Sequence, residues 1–219
     1  MRPDWLRLSA DQQRRLTWLM QVVMVGLLFV GLERGSVAIV VNVAIGLAVI
    51  QIPSVLERDP SVAMDPRLTL WITTAVFLHS VGAVGLPGGS GLYKSVPYWD
   101  SITHTLSSSI VAAVGYATTR AIDEHTDRVR LPDRFVFVFV LLFVMAFGVA
   151  WEVMEFTTSR AATALGGAPV LTQYGIDDTM TDLLFNTAGA LIVAALGSVY
   201  AIDELGLQSI VESLLDRVS

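Results

Sequence analysis

Several polar residues stand inside otherwise apolar stretches of this chain, at spacings of three or four that put side chains on one face of a helix. They are Asp100 and His104, Glu152 and Glu155, and Asp178, Asp182 and Asn186. Carboxylates, an imidazole and an amide suit hard or borderline divalent metals such as Zn, Mn, Fe, Mg or Ca. Helix bundles hold metals with pairs of this kind on facing helices. The pattern therefore predicts a polar site whose candidate cofactor is a divalent metal ion of unknown identity.

The segments that must position these residues are long and apolar. A transmembrane helix needs roughly 20 residues to cross about 30 Å of hydrocarbon. Segments that reach or approach this length are 16–32, 37–52, 68–86, 99–119, 135–156 and 180–202. The second is the shortest, and Asn42 and Gln51 interrupt it. The sequence predicts an all-α fold, a polytopic membrane bundle of about six transmembrane helices.

Composition agrees with this fold and excludes some functions. The chain is 53% hydrophobic and 16% charged, with a mean hydropathy of +0.62. A net charge of −6 argues against nucleic-acid binding, which needs a basic surface. There is no cysteine, so thiolate metal ligands are excluded. The acidic, lysine-poor composition is typical of salt-adapted organisms, and drift in base composition explains it equally well.

Two terminal segments flank the bundle in the predicted organisation. Ser9 and Gln12 have the spacing of a capping box, which predicts a short cytoplasmic N-terminal helix attached to a transmembrane domain over 1–203. Residues 204–219 repeat apolar side chains at helical spacing among acidic ones. This tail is predicted to be an amphipathic helix on the membrane surface or, because it is acidic, against a protein partner.

The basic residues predict the orientation in the cell membrane. With the N-terminus inside, cytoplasmic segments hold most of the 14 Arg and Lys residues and outer segments hold Arg34, Lys94 and Arg160. This bias places both termini in the cytoplasm. At 1.5 Å of rise per residue, the polar residues and His79 then lie within roughly 10 Å of the outer boundary. Convergence of several helices at one depth favours a functional site.

Plainer interpretations apply to the same residues. Asp100 and Asp178 stand at helix starts, where Asp is a favoured N-cap. A lone intramembrane histidine such as His79 is commonly a hydrogen-bonding residue between helices. Glu152 and Glu155 are also compatible with contact to interfacial water alone, and the whole cluster with a structural polar network.

Three blocks of the sequence resemble the YjdF-like family of small membrane proteins, which is related to the VanZ-like proteins. They are Asp100-x-x-x-His104, Glu152-x-x-Glu155, and Asp178-x-x-x-Asp182 followed by Gly189-Ala. His79 follows an apolar stretch, as a histidine does in that family, but the second His with Tyr that the family has after it is replaced here by a Gly-rich segment. The VanZ-like relatives are associated with teicoplanin resistance. The resemblance implies a polar site in a membrane protein and leaves the activity open.

A metal-dependent enzyme that acts on a lipid or prenyl-type substrate is the first functional hypothesis. In it Asp100, His104, Asp178 and Asp182, with His79 and Asn186 as further candidate ligands, surround a divalent cation. Glu152 or Glu155 acts as general base on a water molecule that the metal activates. The alternatives are an ion or proton carrier, which the apolar inner halves of the helices disfavour, and a structural or accessory protein. The oligomeric state is left open.

The orientation can be tested by labelling, because the chain has no native cysteine. A cysteine introduced at Ser90, in the loop before the fourth segment, is expected to react with a membrane-impermeant maleimide added outside the cell. Labelling only after the cytoplasmic side is opened would contradict the predicted orientation.

Overall fold

The computed structural model describes residues 8–59, 64–84, 91–125, 130–166, 169–171, 174–197 and 207–215. Over these residues the chain forms helices and no strand, as the sequence predicts. The helices are α1 (Ala10–Glu33), α2 (Val37–Val49), α3 (Ile52–Leu56), α4 (Pro66–Val84), α5 (Leu92–Ser95), α6 (Trp99–His125), α7 (Asp133–Ala164), α8 (Ile176–Gly197) and α9 (Leu207–Leu215). The labelling position Ser90 and the end of the sixth predicted segment lie outside the described residues.

Four stretches are long and apolar enough to cross a membrane. They are α1, the combined stretch Val37–Leu56, α4 and α7. Large apolar side chains such as Trp18 and Phe29 on α1 and Leu142 on α7 are exposed on the outside of the bundle. That surface suits hydrocarbon and would be unfavourable in water. Four of the about six predicted segments are thus long and apolar enough to cross a membrane. Helices α6 and α8 are not among these candidates, because polar residues make them less hydrophobic over their described lengths.

Helix α1 begins with the predicted capping box. The Ser9 hydroxyl accepts from the Gln12 backbone N–H, and the Gln12 side chain accepts from the Ser9 N–H. The helix then continues without interruption to Glu33. The short N-terminal helix expected from this motif is therefore not a separate element, since it is the first part of the first transmembrane helix.

The second apolar segment is divided into two helices. Helix α2 ends at Val49, and the short α3 begins at Ile52 with Pro53 in its first turn. A proline has no backbone N–H and is favoured at the first positions of a helix, so it allows a new helix to start here. The second predicted segment, 37–52, is therefore not one continuous helix.

Helices α6 and α8 form the centre of the bundle and run in the same direction. Gly189 of α8 lies against Ser108 and the Thr105 carbonyl oxygen of α6, so closely that a Cβ atom would overlap both. One turn earlier, the Thr105 hydroxyl donates to the Phe185 carbonyl oxygen over 3.3 Å. The glycine therefore allows close approach of the two backbones, as small residues do in membrane helix pairs.

Helix α7 packs on α8 in the opposite direction. Gly148 lies against Asn186 and Leu183 of α8, and a Cβ there would come within 2.8 Å of Asn186 Nδ2. Toward the other end of the contact, the Thr187 hydroxyl lies 3.0 Å from Met145 Sδ. Because α8 is held between α6 and α7, its polar residues face both neighbours.

The other end of the bundle is filled by apolar side chains. Buried residues of α6, α7 and α8 form one cluster, which includes Ala113, Tyr116, Val140, Ala190 and Val193. Leu207 and Ile210 of α9 belong to the same cluster, so the apolar face of this helix packs on the chain itself. In the described part of the predicted tail, Leu207–Leu215, the surface that these apolar side chains contact is that of the chain's own bundle.

Gly189→Ala is expected to lower the thermal stability of the detergent-solubilised protein. The added methyl would push α6 and α8 apart, and overpacking of this kind costs about 1–3 kcal/mol. Thermal unfolding followed by intrinsic fluorescence measures the effect.

Gly26→Ala is the matched control, since it adds the same methyl to a helical glycine with nothing within 4 Å. Its stability should hold or rise slightly, because alanine is the better helix former. Equal melting temperatures for wild type and Gly189→Ala would show that the close approach is not required.

Candidate metal centre

The start of α6 is anchored to α4 by aromatic side chains. The Trp99 indole N–H donates to the Leu78 carbonyl oxygen over 3.3 Å. Gly82 of α4 leaves the space that Trp99 and Tyr93 occupy, because a Cβ there would overlap both rings. Tyr98, just before the helix, has a φ of 63°, a left-handed backbone conformation that is uncommon outside glycine. The first turn of α6 is therefore held in one position, with Asp100 at its inner face.

Asp100, His104 and Asp182 lie together between α6 and α8. His104 Nε2 is 3.4 Å from Asp100 Oδ1 and 3.7 Å from Asp182 Oδ2. One ligand atom from each of the three residues lies within 4.8 Å of the others. Asp182 is buried, and the other two are partly buried. This group of three residues is here called the triad.

Asn186 determines which nitrogen of His104 faces the carboxylates. Its Oδ1 lies 3.4 Å from His104 Nδ1, on the side of the ring away from the triad. An amide oxygen is an acceptor only, so Nδ1 carries a proton and donates to it. Nε2 is then the nitrogen that faces Asp100 and Asp182, as it must in a metal ligand whose other nitrogen is fixed by a hydrogen bond.

The three groups of the triad need a proton or a cation between them. A neutral His104 in this orientation would point the lone pair of Nε2 at two carboxylate oxygens, which repel it and each other. A proton on Nε2, a proton on one of the carboxyl groups or a metal ion between the three groups removes this repulsion. The arrangement is thus a candidate cation site built from one imidazole and two carboxylates.

The two glutamates of α7 lie in different surroundings. Glu155 Oε1 accepts from the Trp151 indole N–H over 3.0 Å, and the residue lines a cavity together with Asp100 and His104. Glu152 Oε2 accepts from the Thr179 hydroxyl over 2.8 Å, and its Oε1 is buried with no hydrogen-bond partner among the described residues. Of the two, Glu155 is the one that shares the cavity with the triad.

Asp178 and His79 lie outside the triad. Asp178 is the third residue of α8, and its Oδ2 accepts from the Tyr174 backbone N–H, which precedes the helix, over 2.9 Å. It is therefore not the N-cap that its position in sequence also allowed, because an N-cap precedes the helix and accepts from N–H groups of the first turn. His79 lies on the far wall of the cavity, with Nδ1 2.7 Å from the Tyr93 hydroxyl and Nε2 3.3 Å from Asn42 Oδ1. Both ring nitrogens of His79 are therefore occupied by protein groups.

The His79 contacts form a hydrogen-bonded series from α2 to α5. The Asn42 amide nitrogen donates to the Ala38 and Val170 carbonyl oxygens over 2.9 and 2.8 Å, which leaves its oxygen for His79. The Nε2–H of His79 then donates to Asn42 Oδ1, and its Nδ1 accepts from the Tyr93 hydroxyl. Burial raises the pKa of Tyr93, which keeps its hydroxyl a donor. The series fixes the wall of the cavity opposite the triad.

A cavity of about 300 Å³ separates the triad from this wall. Its lining combines side chains of α2, α4, α5, α6 and α7 with the described residues before α8. Four of the predicted site residues line this cavity, namely His79, Asp100, His104 and Glu155. The other four are not among its described lining residues, namely Glu152, Asp178, Asp182 and Asn186.

Three contributors to this site were not identified from the sequence. Asn42 was read as an interruption of an apolar helix, although a lone amide in such a run is itself a signal of a buried hydrogen-bond partner. The contact of Tyr93 with His79 depends on the position of the short helix α5, which has no sequence signature. Thr179, one of many hydroxyl residues, gave no signal.

Comparison with known proteins identifies a family and a relative of this chain. Residues 15–203 match the model of a family described as "Predicted membrane protein (DUF2238)". A Thermotoga maritima protein, described as an uncharacterized protein, is 32% identical over 142 residues, which are 65% of this chain and 67% of the relative. No solved structure matches the chain. The matched region includes the triad and the cavity wall.

Asn42→Leu is expected to destabilise the protein by about 1–3 kcal/mol, because it leaves the His79 N–H and a backbone carbonyl without partners. Unfolding by SDS titration in mixed micelles measures the loss. Gln51→Leu is the matched control, since Gln51 is the other polar residue of the same segment and is exposed.

The double variant Asn42→Leu with His79→Leu should lose less stability than the two single variants added together, because each single change orphans a partner that the double change removes. Additive losses would contradict a direct His79–Asn42 interaction.

Proposed function

The chain belongs to the DUF2238 family of predicted membrane proteins, and we propose that it is a membrane-embedded, metal-dependent hydrolase for a lipid or prenyl-type substrate. Asp100, His104 and Asp182 hold the divalent ion. The observation that carries this proposal is the direction of His104 Nε2, which faces two carboxylate oxygens while Nδ1 is taken by Asn186.

The spacing of the ligand atoms supports a metal ion at the centre of the triad. Ligand bonds of about 2.0–2.2 Å in a tetrahedral site put two ligand atoms roughly 3.4 Å apart. His104 Nε2 lies 3.4 Å from Asp100 Oδ1 and 3.7 Å from Asp182 Oδ2. A hydrogen bond from an imidazolium would be shorter, near 2.7–2.9 Å. The observed separations leave room for a metal ion that contacts all three groups, and they are also within ion-pair distance of an imidazolium.

Three protein ligands leave a coordination position for water or substrate, which distinguishes catalytic from structural metal sites. When bound, a divalent ion supplies Lewis acidity and a water of lowered pKa. Glu155 lines the same cavity, and Trp151 fixes one oxygen of its carboxylate, so Glu155 is the general base that removes a proton from the attacking water. Glu152, bound to Thr179, orients α7 against α8.

The proposal includes six membrane-crossing helices, namely the four candidate spans together with α6 and α8. α6 and α8 have 27 and 22 residues, and both pack along α7, which is itself long and apolar enough to cross. Helices that lie side by side over their length share the same membrane depth. The charge bias of the sequence puts both termini in the cytoplasm and the triad near the outer leaflet of the cell membrane. At that depth the reactive bond is in a lipid headgroup.

The resemblance to YjdF-like and VanZ-like proteins is part of this proposal, because the Asp-x-x-x-His block that carries it supplies two members of the triad. A carrier function is less well supported. Among the described residues, the part of the bundle toward α9 is filled by buried apolar side chains such as Val140, Ala190 and Val193, which disfavours a polar path through it.

The metal ligands are tested by elemental analysis of purified variants. Wild type should retain about one equivalent of a divalent metal, and His104→Ala or Asp182→Asn should reduce its affinity by tenfold or more. Both variants should still insert, because each makes a membrane helix less polar.

Asp177→Asn is the matched control, because it removes an exposed carboxylate from the same end of α8. It should keep the metal. If Asp182→Asn kept its metal content and gained thermal stability, the triad would be a structural network in which a buried charge had been relieved.

A further inference from the structure

The cavity beside the triad is lined by both polar and apolar side chains. Asp100, His104 and Glu155 lie on the triad side, and His79, Tyr93 and Asn42 lie opposite. Apolar side chains of α2 and of the short described stretch before α8 complete the lining, namely Ala38, Ile39, Val170 and Leu171. A ligand that fills this space must present both polar atoms and hydrocarbon.

Lys94 stands at this cavity and is the single lysine of the chain. Among the described lining residues it is the one with an ammonium or guanidinium group. Its Nζ lies 5.6 Å from the centre of the Tyr174 ring, a cation–π contact that holds the side chain over another lining residue. Lys94 has no salt bridge with a carboxylate among the described residues, so its charge is available to a ligand.

We propose that the cavity binds the phosphate group of an anionic amphiphile, with the phosphate between Lys94 and the triad metal. This inference rests on the proposed metal site and names its substrate class. A phosphate is held by charge-assisted contacts to positive groups. Lys94, which is exposed at the cavity, and the metal are the two such groups that the described lining and the triad would offer. The apolar lining on α2 receives the first part of the hydrocarbon chain.

The size of the cavity agrees with a headgroup. At about 300 Å³ it is at the small end of the range for ligand pockets, enough for a phosphate and its neighbouring atoms and too small for a whole lipid. The chains of the amphiphile remain in the bilayer. Asp100 and Glu155 would repel a phosphate if the metal were absent, so binding must depend on the metal.

The test compares three compounds on the as-purified protein in a nonionic detergent by calorimetry. Dihexanoyl phosphatidic acid carries the phosphate and the chains, inorganic phosphate lacks the chains, and dihexanoylglycerol lacks the phosphate. We expect phosphatidic acid to bind, dihexanoylglycerol not to bind, and EDTA treatment to abolish binding. Inorganic phosphate bound as tightly as phosphatidic acid would identify a soluble phosphate compound as the source of the same group.

Lys94→Gln should weaken the binding of phosphatidic acid about tenfold, because it removes one charge-assisted hydrogen bond. Arg160→Gln is the matched control: its guanidinium lies 5.6 Å from the centre of the Phe156 ring, a similar contact away from the cavity. It should bind like wild type.

Metal analysis of the same samples tests the metal site of the triad separately from the phosphate site at Lys94. A Lys94→Gln protein that keeps its metal and binds phosphatidic acid as wild type does would overturn the headgroup proposal and leave the metal site standing. A wild-type protein without metal would overturn both. Binding of dihexanoylglycerol as tight as that of phosphatidic acid would also exclude a phosphate site.

Discussion

The close approach of α6 and α8 at Gly189 is the constraint on which the candidate site depends. Because the two helices run in the same direction, this contact sets their register, and the residues one and two turns earlier face each other. His104 then lies against Asn186 and Asp182. A larger residue in place of Gly189 would separate the helices and pull the imidazole away from its partners. The same small residue thus determines both packing and the geometry of the triad.

Polar groups inside a membrane protein are costly unless each finds a partner, and the structure arranges those partners in two networks. On the α2 and α4 side, Asn42, His79 and Tyr93 satisfy one another through hydrogen bonds. On the α6 and α8 side, Asp100, His104 and Asp182 satisfy one another only when a proton or a cation lies between them. That difference explains why the first network is closed and structural, while the second is the one proposed to take up a cation.

Much of the fold and the set of polar residues could be predicted from the sequence, because helix periodicity fixes which side chains share a face. The pairing of Asp100 with His104 follows from a spacing of four. What periodicity does not contain is the packing between helices. Periodicity could not separate Asp182, which joins the triad, from Asp178, which accepts from the Tyr174 backbone N–H. It also could not show that His79 is held by Asn42 of α2. Likewise, the amphipathic pattern of α9 does not specify which surface covers it.

X-ray absorption spectroscopy at the metal edge of the untagged, detergent-purified protein tests the central claim most directly. The chain has no cysteine and three histidines, so the ligand types that the spectrum can show are few. A metal ion held by the triad should have a first shell of nitrogen and oxygen at about 2.0–2.2 Å, with the scattering pattern of a single imidazole and no sulfur. Absence of metal, or a shell of oxygen without any imidazole, would contradict a metal centre built on His104.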